Sequence, residues 1–275
     1  MKRSQLILIA LGLVAVGVLY LLPSVVVDTD SKADEVSQEA TAGQAGSADV
    51  VNSHETELSP DQALQINTLK LQIAENPEGD DYISSLKEMA AIYQEMGKYD
   101  SAGYYLSLAA DKESSIQLAE EAGNAYYEAF SFALDPDKVT ATAEQTRKYL
   151  SKVLEQDPTR LDLKTKIAMT YVSSSNPMQG ITMMREILEQ DPQNEDGLFN
   201  MGVLSMQSGQ YKRAIERFEE LIKYHPDNLQ GQFYLGVSYF EANQKNKAKA
   251  QFEKVKEMTD DEMILGSVET YLDKL

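Results

Sequence analysis

Apolar residues divide this 275-residue chain into three zones that suit different environments. The first zone holds an unbroken apolar run over residues 6–22, preceded by Lys2 and Arg3. Continued as a helix to residue 27, the run spans about 33 Å, which is enough to cross a bilayer core of ~30 Å. The basic residues ahead of it predict that residues 1–27 form a short cytoplasmic start and a transmembrane anchor, with the rest of the chain across the membrane.

A cleaved signal peptide is the alternative to an uncleaved anchor. A signal peptide needs small residues at a cleavage site that directly follows a short apolar region. The best match, residues 15–17, lies inside the apolar run, and residues 22–24 fit poorly. These positions favour an uncleaved, single-pass anchor.

The second zone, residues 28–60, is acidic and almost free of large apolar side chains. It holds eight acidic residues against the single base Lys32. Such a segment cannot bury enough apolar surface to offset the entropy lost on ordering. The composition therefore predicts a disordered acidic linker between the anchor and a folded body.

The third zone, residues 61–275, repeats a pattern of helical stretches. Prolines follow three of these stretches at intervals of 34 residues, at positions 158, 192 and 226. Because proline cannot continue a helix, each marks an equivalent turn. Three frames of the same length begin at Leu161, Glu195 and Leu229, and they share small residues at positions eight and twenty and larger apolar residues at position twenty-four. The small residues are Ala168, Gly202, Gly236, Gly180, Ala214 and Ala248, and the larger ones are Met184, Phe218 and Phe252.

This pattern resembles the tetratricopeptide repeat (TPR), a helix–turn–helix unit of 34 residues. The resemblance implies an all-α, TPR-type superhelical solenoid of antiparallel helix pairs, preceded by the transmembrane helix and the tether. A lone leading helix is predicted over 60–76, and an insertion at 134–137 is expected to displace the second helix of its repeat. The repeats fall at about 83–115, 116–160, 161–194, 195–228 and 229–262, with a closing helix over 263–275.

The resemblance also implies a binding surface. In TPR proteins, the first helix of each pair lines a concave groove that mostly binds peptides or protein segments. Apolar residues at the groove positions of the last three frames are the candidate protein-binding residues: Met169, Phe199, Val203, Met206, Phe233, Val237 and Phe240. The Lys and Asn with which one TPR subset clamps a C-terminal carboxylate are missing from these frames. The closing helix is an alternative occupant, because it could itself bury Phe233 and Phe240.

Composition argues against catalysis and against nucleic acid as a partner. The formal net charge of −19 repels phosphate backbones. The chain has no cysteine and only two histidines, His54 and His225, so it offers no thiolate nucleophile and no His-rich metal site. It also lacks a phosphate-cradling loop motif. We therefore expect a protein that is not an enzyme and that has no catalytic, metal or cofactor-binding residues.

These observations predict a membrane-tethered protein–protein interaction scaffold or assembly factor that binds client segments in its groove. The basic start and compact anchor predict a single-pass protein of a bacterial inner membrane, with the C-terminal domain in the periplasm. The alternative is a structural module whose repeats associate with other copies and form a membrane-bound oligomer.

Overall fold

A computed structural model describes residues 59–275 of the protein as an array of helices without a strand in that range. The predicted anchor over 1–27 and all but the end of the predicted linker over 28–60 lie outside the described residues. No helix within residues 59–275 combines the length and apolar character that crossing a bilayer requires. The twelve helices in this range are α1 (Pro60–Glu75), α2 (Tyr82–Glu95), α3 (Tyr99–Glu113), α4 (Ile116–Phe132), α5 (Pro136–Gln156), α6 (Leu161–Val172), α7 (Pro177–Gln190), α8 (Glu195–Gln207), α9 (Tyr211–Tyr224), α10 (Leu229–Glu241), α11 (Lys245–Met258) and α12 (Glu262–Leu272).

Ten of these helices form five consecutive pairs, from α2 with α3 to α10 with α11. Helix α1 precedes the pairs as the predicted leading helix, and α12 follows them as the closing helix. The first helices of the last three pairs begin at Leu161, Glu195 and Leu229, the residues at which the three sequence frames begin. The periodic prolines lie in the short turns before these helices, so their predicted role is confirmed.

The turns inside three of the pairs share one backbone conformation. Gly97, Gly209 and Asn243 have φ angles of 69°, 71° and 58°. In each case the following N–H donates to the carbonyl oxygen five residues earlier over 2.8 Å. A residue in the left-handed region closes a helix in this way, and glycine or asparagine adopts that region at the lowest cost. These turns reverse the chain and set the second helix against the first.

Small and large residues interlock within the last two pairs, as the sequence predicts. A Cβ atom at Gly202 would lie 2.6 Å from the ring of Phe218, and one at Gly236 would lie 2.7 Å from the ring of Phe252. Both phenylalanines are fully buried. The absence of a side chain at Gly202 and Gly236 therefore allows the second helix to approach the first closely.

The pair α4–α5 departs from the other four pairs. Its helices have 17 and 21 residues, so the inserted residues lengthen both helices. The second helix is displaced as expected, because α5 begins at Pro136, twenty residues after Ile116, whereas the second helices of the three sequence frames begin sixteen residues after the first. Asp135 caps α5 by accepting a hydrogen bond from the Lys138 N–H over 2.8 Å, and proline suits the first turn of a helix. Phe132 and Leu134 are left exposed at this turn (70% and 97%).

Candidate protein-binding groove

The first helices of the five pairs form a continuous surface, which we call the groove. Lys166 of α6 donates a hydrogen bond to the side-chain oxygen of Asn124 of α4 over 2.6 Å. Phe199 of α8 and Tyr234 of α10 meet edge to face, with ring centres 5.6 Å apart. Met169 of α6 and Met201 of α8 pack against one buried cluster, and a cleft lies between α2 and α4, so the groove continues from one repeat to the next.

The cleft between α2 and α4 has a volume of about 440 Å³, and we call it the carboxylate cleft. Ala90 and Ala125 are almost fully buried beneath it and give it an apolar base. Polar and charged side chains surround this base. They are Lys87 and Gln94 from α2 and Glu121, Asn124 and Glu128 from α4. The cleft therefore combines an apolar contact surface with acceptors for a charged group.

Arg160 forms hydrogen bonds with two other carboxylates of the groove. It lies in the turn before α6 and donates two hydrogen bonds to Glu120, at 2.7 and 3.1 Å, and two to Asp162, at 2.7 and 2.9 Å. The hydrogen bonds from Arg160 hold the pKa of Asp162 below its ordinary value. Because Glu120 belongs to α4 and Asp162 to α6, Arg160 also joins consecutive repeats.

Asp196, near the start of α8, lies in a different electrostatic setting. Although the residue as a whole is exposed, partial desolvation of its carboxylate raises its pKa. The negative charges of Glu195 and Asp162 raise the pKa further, and the positive charge of Lys166 opposes the shift without reversing it. The groove thus places uncompensated negative potential at Asp196.

The far end of the groove, on α8 and α10, is aromatic, and we call it the aromatic section. Phe199 is half-buried and meets the buried Phe218 edge to face, with ring centres 6.1 Å apart. Val203 and Met206 are also half-buried and pack against the same core. These three candidate residues keep part of their apolar surface outside the core.

The closing helix α12 contacts the end of the aromatic section. The ring of Tyr271 lies edge to face with Phe233 at 6.0 Å and with Phe240 at 5.3 Å, and it stacks on Phe252 at 5.2 Å. Phe233 and Phe240 are half-buried. The structure therefore places the protein's own chain, the alternative occupant expected from the sequence, against these two phenylalanines.

The structure buries one further candidate and leaves another half-buried. Val237 is only 5% exposed and packs in the core formed by the last two pairs and α12. Its expected place among the groove-lining side chains is therefore wrong, because its side chain faces this core. Met169 is half-buried and packs against a smaller cluster around Met184 and Ile187.

Comparison with known proteins agrees with this helical arrangement. Residues 151–252 match the family model described as the N-terminal TPR repeats of the surface lipoprotein assembly modifier. The crystal structure of a tetratricopeptide repeat protein from Parabacteroides merdae aligns with 78% of this chain and 83% of its own, at 17% identity and a TM-score of 0.55. The chain is a tetratricopeptide repeat protein.

Other solved structures resemble this TPR protein less closely by TM-score. A crystal structure of MamA aligns with 66% of the TPR protein and 93% of its own chain, at 14% identity and a TM-score of 0.47. A crystal structure of YrrB aligns with 74% and 99% of the two chains, at 16% identity and a TM-score of 0.44. A search of the curated proteins finds no match.

Sequence reasoning missed the groove residues that the TPR protein carries on α4. The insertion obscured the second repeat, so no groove positions were assigned to it. The family's groove positions, counted from Ile116, give Gln117, Glu120, Asn124, Tyr127 and Glu128. Asn124 and Glu128 do line the carboxylate cleft, and the same count would have found them.

The chemistry available in the groove is that of binding. Within residues 59–275, no three or more His, Cys, Asp or Glu side chains are grouped so that they could hold a metal ion. Burial raises the pKa of Tyr127, and the nearby charges of Glu128 and Asp196 act in the same direction. Its phenol therefore stays protonated at neutral pH and can donate a hydrogen bond to a bound segment.

Proposed function

We propose that this TPR protein is a membrane-tethered scaffold or assembly factor that binds segments of client proteins along its groove. The continuous groove carries the proposal, because it offers hydrogen-bonding groups at the carboxylate cleft and apolar surface at the aromatic section. A bound segment can use both kinds of contact at once. In this proposal the protein acts by binding and not by catalysis.

The proposed location is a bacterial inner membrane, with the repeats in the periplasm. The apolar run over residues 6–22 and the basic residues before it support a single-pass anchor. The matching family model is described as belonging to a modifier of surface lipoprotein assembly, which supports a role in assembly at the cell envelope. A stable association with membranes after an alkaline carbonate wash is the expected result, and release into the wash would contradict the anchor.

Photo-crosslinking in cells tests the proposed groove. A photoreactive residue is placed at Gln94 in the carboxylate cleft or at Met206 in the aromatic section, and matched controls carry it at Glu144 of α5 or Glu186 of α7. Both control positions are exposed and lie on second helices of pairs. The same client protein should be captured from both groove positions and from neither control. Capture of the protein's own peptides alone would contradict client binding in the groove.

Self-association is the second candidate function, and one surface favours it. Leu64 and Leu71 are 68% and 61% exposed and lie seven residues apart on α1, so they share one face of that helix. If copies associate through this face, light scattering of the detergent-solubilised chain gives a mass that rises with protein concentration. Leu64→Ser together with Leu71→Ser should then abolish the rise. A constant mass of one chain over the whole range would exclude this function.

A further inference from the structure

The two ends of the groove offer different chemistry to a bound segment. In the carboxylate cleft, Glu121 and Glu128 lie seven residues apart on α4 and therefore on one face of the helix. Among the described residues, neither carboxylate forms a salt bridge with a basic side chain. Lys87 lies on the α2 side of the cleft, also without such a partner. The cleft thus holds two carboxylates without a basic partner and one cation above an apolar base, and Glu121 also accepts a hydrogen bond from the Gln117 side chain over 3.1 Å.

The other carboxylates along the groove differ in their partners. Arg160 satisfies Glu120 and Asp162 with four hydrogen bonds, so these two carboxylates have little to offer a ligand. Asp196 lies farther along the groove, where desolvation and the charges of Glu195 and Asp162 oppose its ionisation. A cation near Asp196 would relieve this repulsion, whereas an anion would add to it.

The part of the aromatic section around Phe199 and Met206 is apolar. Phe199, Val203 and Met206 present the parts of their side chains that the core leaves uncovered. Apolar side chains of a bound segment gain free energy here by leaving water. The closing helix covers the part of this section around Phe233 and Phe240, so Phe199 and Met206 belong to its more accessible part.

We propose that the groove selects client segments with basic residues at one position and apolar residues farther along the segment, the basic side chains entering the carboxylate cleft and the apolar ones covering the aromatic section. This inference rests on the proposed function and adds the chemistry of the partner. The long aliphatic stem of arginine or lysine suits the base formed by Ala90 and Ala125, while its charged head reaches Glu121 or Glu128.

Fluorescence anisotropy with labelled peptides tests the charge preference. The probe is a fourteen-residue peptide in which neutral polar residues separate two arginines from two leucines, and it is added to the full-length chain in neutral-detergent micelles. One comparison peptide replaces the arginines with glutamates. A second contains the same arginines and leucines in alternating order. The arginine peptide should bind at least about tenfold more tightly than the glutamate peptide, and its affinity should fall as salt is raised.

Paired variants locate the effect on the protein. Glu121→Gln together with Glu128→Gln should weaken binding of the arginine peptide by about fivefold, which is the order expected for exposed charge pairs. The matched control, Glu144→Gln together with Glu186→Gln, removes two exposed charges from second helices and should leave the affinity unchanged. Equal effects of the two pairs would overturn the cleft assignment, because general electrostatic attraction would then explain the binding.

A selection from random displayed peptides separates failure of this inference from failure of the proposed function. If the selected peptides crosslink to positions 94 and 206 and combine basic with apolar residues, both proposals are supported. If they crosslink there but are acidic or uncharged, the partner chemistry is wrong and groove binding stands. If no selected peptide reaches either position, groove binding itself is wrong.

Discussion

Adding one methyl group at Gly202 tests the close packing on which the repeats depend. The change Gly202→Ala removes a flexible glycine from the interior of α8, which by itself would stabilise the helix by about 1 kcal/mol. The new Cβ atom, however, would lie 2.6 Å from the ring of Phe218. The ring is fully buried between Phe199 and Tyr234, so it has no free space into which it can move.

The packing cost should exceed the gain in helix propensity. Overpacking of a core typically costs 1–3 kcal/mol, and a contact this short belongs at the upper end, about 3 kcal/mol. The net loss for Gly202→Ala is then about 2 kcal/mol. For a folded body of this size, such a loss lowers the melting temperature by about 4–8 °C. Circular dichroism at 222 nm during heating measures this shift.

Gly266 provides the matched control. It lies in α12, and nothing lies within 4 Å of the position that its Cβ atom would occupy. Gly266→Ala therefore changes helix propensity without a packing clash and should raise stability by up to about 1 kcal/mol. A Gly202→Ala variant at least as stable as the parent would refute the reasoning, as would equal destabilisation by the two substitutions.

Three other predictions concern contacts between elements and pH. Tyr271→Ala removes the ring that joins α12 to Phe233 and Phe240. Amide hydrogen exchange should become faster in α12 and stay unchanged in α2 and α3. Unchanged exchange in α12 would contradict this role. Arg160→Met should lower the free energy of unfolding by about 1 kcal/mol in denaturant titrations. Adding Glu120→Gln to that variant should have little further effect, because the contact is already lost. Additive losses of unfolding free energy from the two substitutions would contradict the contact. Burial and the hydrogen bond to Glu219 raise the pKa of Tyr239, so its contribution to stability is complete below the ordinary tyrosine pKa of about 10 and is lost as the pH rises through the higher folded value. The melting temperature of Tyr239→Phe should therefore fall less between pH 9.5 and about pH 12 than that of the parent, and an identical fall would contradict the assignment.

The sequence predicts only some of the side chains that line the groove. Positions counted from the repeat frames placed Phe199, Val203 and Met206 on the first helices, and the structure leaves each of them half-buried there. The same count placed Val237 in the groove, yet the core of the last two pairs buries it. The position of a residue on a helix follows from periodicity, but its burial depends on which other elements pack over it.

Local chemistry accounts for what the sequence determined by itself. Proline stops each helix at the same point of the 34-residue period, glycine or asparagine permits the left-handed turns, and Gly202 makes room for Phe218. Each of these effects depends on residue type and spacing along the chain, so the pattern predicts the fold of the repeats. The sequence pattern alone likewise predicts the anchor and the linker.

Only the tertiary structure decided the features that depend on residues far apart in sequence. The inserted residues lengthen α4 and α5, and the packing of the first two pairs places Glu121 and Glu128 beside α2 in the carboxylate cleft. The packing of Tyr271 decides how much of Phe233 and Phe240 remains open. A repeat pattern fixes each unit and its neighbour, whereas an inserted turn or a terminal helix has no second copy in the sequence from which its packing could be inferred.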